Sequence, residues 1–365
     1  MKIRILLSLA AVILFSGCTA PIADAVKIES KDNYTLTVLG DIHYDGEQYH
    51  ISAPKYPNAK RERIRNISQW KGKSQEVLAA AAKQSSKESA FIIQLGDITQ
   101  GDCDNAELQG AAFKDVFAIL KKYFPDKKIL AITGNHDVRG YGDSAEAADR
   151  YFVPLLKKEL GKDINMDGTN YAVRCGKDIY IFYDFSKESS GEFVKETLRK
   201  NADARHTFFL THLPMFPCSM GNPGWIVPHF KELIPLLAAR NAVILCAHTH
   251  YWGEFIYKNQ YGTLTQFIVT SMGSSRKPGA KYAKRHNSYT HWKNSIRPYY
   301  LTAPDLQWSR DNLKFFKNED FQLYQTYFGI PSGFVNLEVT EDKVVAHVFT
   351  DDTDKPYKSV TLKGN

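Results

Sequence analysis

From Tyr34 onward, short and nearly continuous apolar runs alternate with longer stretches whose apolar residues recur at helical spacing. The runs are Tyr34–Leu39, Phe91–Leu95, Ile129–Thr133, Ile179–Asp184, Thr207–Thr211 and Ala242–Cys246. They lack a polar face, as expected of strands covered on both sides. Between them, Ser74–Ser86, Ala111–Phe124, Ala145–Leu160, Glu192–Lys200 and His229–Ala239 predict helices. The alternation predicts βαβ units around a buried sheet. The last hundred residues differ. Gln266–Thr270, Phe334–Val339, Val344–Phe349 and Ser359–Lys363 predict strands, the last three without intervening helices, and Glu341-Asp342 predicts a hairpin turn. Residues 276–330 are basic, aromatic and irregular, with a helix expected around Asn312–Tyr327, and read as an insertion or lid.

A chain of 365 residues can bury a large α/β core, and 43% hydrophobic with 24% charged residues is the balance of a globular protein. The net charge of +7 suits an anionic substrate, but it is too small and too scattered to argue for a nucleic-acid-binding surface.

The N-terminus reads as a targeting signal. Two positive charges, Lys2 and Arg4, precede an apolar run from Ile5 to Phe15, and then come Ser16-Gly17-Cys18. The run falls short of the roughly 20 residues that a membrane span needs and fits the apolar region of a signal peptide. Small residues before a cysteine resemble a bacterial lipobox, which implies cleavage after residue 17 and lipidation of Cys18. The alternative is a plain secretory leader. Either way the expectation is an exported protein of the bacterial cell envelope, touching membrane only through its anchor. The division is then a signal peptide at 1–17, a lipidated tether at 18–33 and a single domain at 34–365, with inserted segments at about 45–72 and 276–330. Cys103, Cys175, Cys218 and Cys246 form no CxxC pair, which argues against a zinc ribbon; Cys175 and Cys246 fall in strand runs and read as small buried apolar residues. The oligomeric state is left open.

The acidic residues and histidines that follow the apolar runs carry the chemistry. The first run leads into Gly40-Asp41-Ile42-His43 and the second into Gly96-Asp97. The third leads into Gly134-Asn135-His136-Asp137. Two later runs lead into His212-Leu213-Pro214 and Ala247-His248-Thr249-His250. In open α/β sheets this strand edge is where ligands bind. Mixed carboxylate and imidazole donors suit zinc, manganese or iron. Asp41 with His43, and His248 with His250, are spaced to reach one ion, and a carboxylate such as Asp97 can bridge two. Two cations roughly 3.5–4 Å apart clamp a phosphate, sharpen a bridging hydroxide and neutralise charge during in-line displacement. Any one of these motifs is commonplace, but five in order, holding five of the eleven histidines, are not.

In this order the motifs resemble the D-x-H, G-D, G-N-H-[DE], H and G-H-x-H pattern of the calcineurin-like metallophosphoesterases, over about residues 34–275. The resemblance implies a four-layer α/β/β/α sandwich and hydrolysis of phosphate mono- or diesters. It implies that Asp41, His43, Asp97 and His250 hold a first metal, and that Asp97, Asn135, His212 and His248 hold a second. Both would be divalent or trivalent ions of manganese, iron or zinc. It further implies that His136 is the general acid and that Asp137 holds its imidazole. Ala247 stands where the family has glycine, and would be strained if that position needs positive φ.

Around the motifs, the loop after His43 carries His50 and the cluster Lys60-Arg61-Arg63-Arg65. Asn135, His50, Arg61 and, in a second basic stretch, Arg276 are candidates to grip a phosphate, since arginine does so in a bidentate way. A solvated helical turn is the competing reading for the first cluster. Trp225, Tyr251 and Trp252 flank ligand motifs and could stack on a base or sugar, or belong to the core. Against hydrolysis of a small phosphate ester stand a non-catalytic binding lipoprotein on the same scaffold, which predicts decayed ligand positions, and a metal hydrolase of another bond.

Overall fold

Three of the predicted strands, in the runs Ile179–Asp184, Thr207–Thr211 and Ala242–Cys246, alternate in a second sense as well: successive side chains enter different cores. In the computed structural model, which describes residues 24–51, 57–85, 89–161, 164–216, 225–273, 307–318, 322–329, 331–350 and 355–364, two sheets lie face to face. Cys18, Cys218 and Arg276 fall outside the described residues.

The first sheet has six strands. Strands β2 (Tyr34–Leu39), β3 (Ser89–Gln94) and β4 (Ile129–Ala131) run parallel, and the antiparallel β12 (Phe334–Val339), β13 (Val344–Phe349) and β14 (Lys358–Lys363) extend it from the side of β2. The second has eight strands in the order β1, β5, β6, β7, β8, β10, β9 and β11. They are β1 (Val26–Ile28), β5 (Tyr171–Cys175), β6 (Asp178–Tyr183), β7 (Thr207–Thr211), β8 (Val243–Cys246), β9 (Trp252–Asn259), β10 (Gly262–Ile268) and β11 (Gln322–Gly329). Strands β6, β7, β8 and β10 are parallel neighbours.

Strand alternation explains the continuous apolar runs. Tyr180 and Phe182 of β6, Phe208 and Leu210 of β7, and Val243 and Leu245 of β8 point into a core shared with Leu36, Val38 and Phe91 of the other sheet. Phe91 meets Tyr180 edge to face with centroids 5.4 Å apart. The intervening Ile179, Ile181, Phe209, Ile244 and Cys246 pack outward with α5 (Ser190–Lys200), α6 (Phe230–Ala238) and α7 (Gln307–Asn318). The outer face of the six-stranded sheet is covered by α2 (Gln75–Ser85), α3 (Ala106–Tyr123) and α4 (Val153–Leu160). The result is the four-layer α/β/β/α sandwich. Cys175 and Cys246 are buried, as their strand positions suggested.

Several expectations change. The βαβ units do not surround one sheet: the first three predicted strands and the next three belong to different sheets. The helix-poor C-terminal strands complete the sheet of β2, and only β10 and its partners extend the other. Val26–Ile28, inside the segment read as a tether, pairs in parallel with β5. The helix expected over Asn312–Tyr327 ends at Asn318, and residues 322–329 pair with β9 as a strand instead. Residues 57–85 are helical throughout, α1 (Pro57–Gln69) joining α2 through a π turn at Trp70–Ser74.

Candidate metal centre

Both sheets send parallel strand ends to one place. Strand β2 delivers Asp41 and His43, β3 delivers Asp97 and β4 delivers Asn135 and His136. From the opposite sheet, β7 delivers His212 and β8 delivers His248 and His250. The backbone is forced tight here. His43, Asp97, His248 and His250 have φ of 48°, 50°, 66° and 56°. Left-handed backbone at residues with side chains costs energy and collects at functional sites. Ala247 is not among the positive-φ residues, so the strain expected of it is borne by its neighbour His248. Gly134 is required by space: a Cβ there would lie 2.2 Å from Asp97 Oδ1.

Two groups of donors share Asp97. Ligand atoms of Asp41, His43, Asp97 and His250 lie within 4.8 Å of one another, as do those of Asp97, His212 and His248. His43 Nε2 and His250 Nε2 are 3.1 Å apart. In the second group, Asn135 Oδ1 lies 2.8 Å from His248 Nδ1 and 3.0 Å from His212 Nε2. His212 Nδ1 donates to the Leu95 carbonyl at 2.8 Å, which turns Nε2 toward Asp97 Oδ2 at 3.3 Å.

The residues fit metal ions. Asp41 Oδ2 is buried and accepts no hydrogen bond among the described residues, a costly arrangement unless a cation answers it. The donors are those of zinc, manganese or iron. Burial pushes the Asp41 carboxyl up to about 8, with His212 opposing and the Asp97 charge adding to the rise. Burial also works against the charge of Asp97, but His212 and His136 outweigh it and hold Asp97 well below the usual carboxylate range. Burial holds His43 and His248 well below the ordinary imidazole value and takes His250 down to about 4. These three rings therefore stay neutral, with lone pairs to give. His212 alone is lifted, to about 9, because Asp97 overcomes its burial. A proton there supplies positive charge that a cation would replace.

His136 stands beside this cage, partly exposed, its ring edge-on to His43 with centroids 4.6 Å apart. Its Nδ1 meets the Gln100 carbonyl at 2.8 Å and its backbone N–H donates to Asp97 Oδ1 at 2.7 Å. Asp137 does not hold that imidazole. Its buried carboxylate accepts from the N–H groups of Ile98, Thr99 and Gly134 and from Thr99 Oγ1, at 2.8–3.2 Å. Asp137 thus ties the loop after β3 to the loop after β4, and Gln100 does the work expected of it.

The substrate candidates separate. Both ring nitrogens of His50 are engaged, Nε2 with Asp45 at 2.6 Å and Nδ1 with the Asp102 carbonyl at 3.2 Å, and the side chain is buried. His50 therefore braces its own loop and offers nothing to a substrate. Arg61 is exposed on α1. The α1 arginine whose charge reaches the cage is Arg65, one helical turn on, which adds to the lowering at His250. Trp225 lies parallel to the His248 ring, whereas Tyr251 and Trp252 are buried. Sequence reasoning missed Asn66, whose amide bonds the Gln100 side chain.

The family model for calcineurin-like phosphoesterase matches residues 34–252. The chain belongs to this family. Two solved structures share the phosphoesterase's fold. One is described as the structure of PhoD: 11% identical, TM-score 0.54, covering 92% of this chain and 69% of that one. The other is GAP50, the anchor in the inner membrane complex of Plasmodium: 12% identical, TM-score 0.50, covering 92% and 90%. No curated protein matches. Family and cage together make this chain a metal-dependent hydrolase of phosphate esters.

Proposed function

We propose that the phosphoesterase works with two ions and hydrolyses a small phosphate mono- or diester. The observation that carries this reading is Asp97, one carboxylate common to both donor groups. Asp41, His43, Asp97 and His250 would hold one ion, and Asp97, Asn135, His212 and His248 the other. When bound, the pair supplies Lewis-acid charge to the phosphate and lowers the pKa of water for attack. The remaining work falls to the chain itself. Asn135 and His136 are partly exposed, so they face the incoming ester while Asp137 stays buried beneath them. The Gln100 carbonyl fixes a proton on His136 Nδ1, leaving Nε2 as the atom that exchanges a proton at the site. As water adds to phosphorus and the ester P–O bond breaks, that nitrogen protonates the leaving oxygen. Arg65 adds positive charge near His250.

A non-catalytic binding role predicts decayed positions, whereas all seven donors and His136 are present and gathered. The test is metal stoichiometry with turnover. The purified chain from residue 19, stripped by chelator and reloaded with Mn²⁺, should bind two ions and hydrolyse an aryl phosphate only when loaded. Asp97→Ala should lose more than one ion per chain, and His212→Ala about one. One ion in the wild type, or equal losses in the two variants, would overturn the shared-carboxylate reading. We further propose that the enzyme is exported and held to a membrane through a lipid on Cys18, supported by the leader and by Ser16-Gly17-Cys18.

A further inference from the structure

An apolar cavity of about 660 Å³ adjoins the metal centre. Phe185, Leu213, Trp225, Ile226 and Phe230 form its wall, with Asn312 of α7 at one side. It meets the cage through two ligands. Leu213 directly follows His212, and the Phe185 ring lies 6.4 Å from the His212 ring. Trp225 lays its indole on His248, with 5.0 Å between centroids and 13° between planes. That indole is still 37% exposed, and it forms the partition between ligand and cavity.

We propose that this cavity is the leaving-group subsite, and that the ester's alcohol is apolar and at least the size of an aromatic ring. The proposal rests on the phosphoesterase reading and adds the substrate class to it. A phosphate gripped at the cage has its organic part projecting to one side, and Trp225, which lines this volume, borders the cage at His248. The volume lies in the range of small-molecule pockets, roughly 300–1,000 Å³. The lining also includes His229, Lys231, Glu232 and Asn312, but the hydroxyls of a polyhydroxylated alcohol would lose water against Phe185, Leu213 and Ile226. An aromatic alcohol loses nothing there and can stack against the indole. The reaction is unchanged: water forms a new P–O bond, the alcohol's P–O bond breaks, and the alcohol oxygen takes a proton.

The test compares esters of primary alcohols, so that leaving-group acidity is nearly constant. Ethyl phosphate and 2-phenylethyl phosphate, each also as its methyl diester, are assayed with the Mn²⁺-loaded chain from residue 19. Burying the ring should raise kcat/KM for the phenylethyl ester by roughly tenfold or more in the ester class that is turned over. Trp225→Ala should reduce that preference severalfold, read as a ratio within the variant. Asn312→Trp, which adds bulk at another lining position, should raise KM for the phenylethyl ester selectively. Equal turnover of both esters by the wild type, or a preference unmoved by both substitutions, overturns the subsite and leaves phosphoester hydrolysis standing. Turnover of neither ester by loaded enzyme overturns both.

Discussion

His136 and Asp137 are adjacent in sequence, yet the fold gives them opposite tasks. His136 projects toward the cage with Nδ1 committed to a carbonyl, so removing its ring costs chemistry. Asp137 is buried and accepts from four donors on two loops, so removing its carboxylate costs structure. His136→Ala should therefore keep both ions and the thermal midpoint while turnover falls by roughly 10²–10⁴, the usual worth of a positioned acid. Asp137→Ala strands several buried N–H groups, at about 1–3 kcal/mol each, and should lower stability by about 3 kcal/mol or more. Calorimetry beside metal analysis separates the two. Metal lost from the first variant, or an unmoved midpoint in the second, would reverse the assignment. The sequence made the ligands legible because each follows an apolar run within a few residues. It did not reveal Asp137's partners, because Ile98 and Thr99 are nearly forty positions away and meet it only after β3 and β4 pair.

At the scale of elements, α1 shows how a segment outside the motifs supports them. Its predicted alternatives were a substrate loop and a solvated turn, and it has one side of each kind. Ile64 and Arg65 are exposed, whereas Asn66 and Ile67 are buried. Trp70, at the junction with α2, meets Tyr44 edge to face at 4.8 Å. Asn66 bonds the side chain of Gln100, whose carbonyl in turn holds His136. Asn66→Ala leaves a buried acceptor on Gln100 without its donor, which should cost about 1–3 kcal/mol. The urea midpoint should fall with unchanged slope while two ions remain bound. An unshifted midpoint would mean that α1 does not brace this loop. Elements were legible where both faces are covered, as in β2 and β7, whose bounds agree with the apolar runs. They were lost where one face is polar. Strand β9 alternates buried Phe255 and Tyr257 with part-exposed Glu254 and Ile256, a period-two signal that a search for continuous runs passes over.

The whole molecule is built so that neither sheet holds a complete site. Asp41, Asp97 and Asn135 come from one sheet, and His212, His248 and His250 from the other; the sandwich must close before the cage exists. At its other end the same two sheets are joined by Tyr34, which donates to Asp178 at 2.8 Å and lies 2.7 Å from Tyr180 Oη. Which strands shared a sheet was illegible in sequence, because continuous apolar strands look alike whichever layer they enter. The proposed anchor belongs to this scale too. Cys18 is only eight residues before β1, which starts at Val26 on an edge of the eight-stranded sheet. Fully extended, eight residues span at most about 29 Å, so a lipid on Cys18 would keep the edge beside β1 close to the bilayer. Both β1 and the strands carrying His212 and His248 lie in one sheet, with β5 and β6 between them. The anchor can then be removed without touching the cage. In a bacterial host, Cys18→Ser should release the enzyme from the membrane fraction and abolish labelling by a fatty-acid probe, with kcat and metal content on a soluble ester unchanged. Retention of Cys18→Ser in washed membranes would rule out the lipid as the tether.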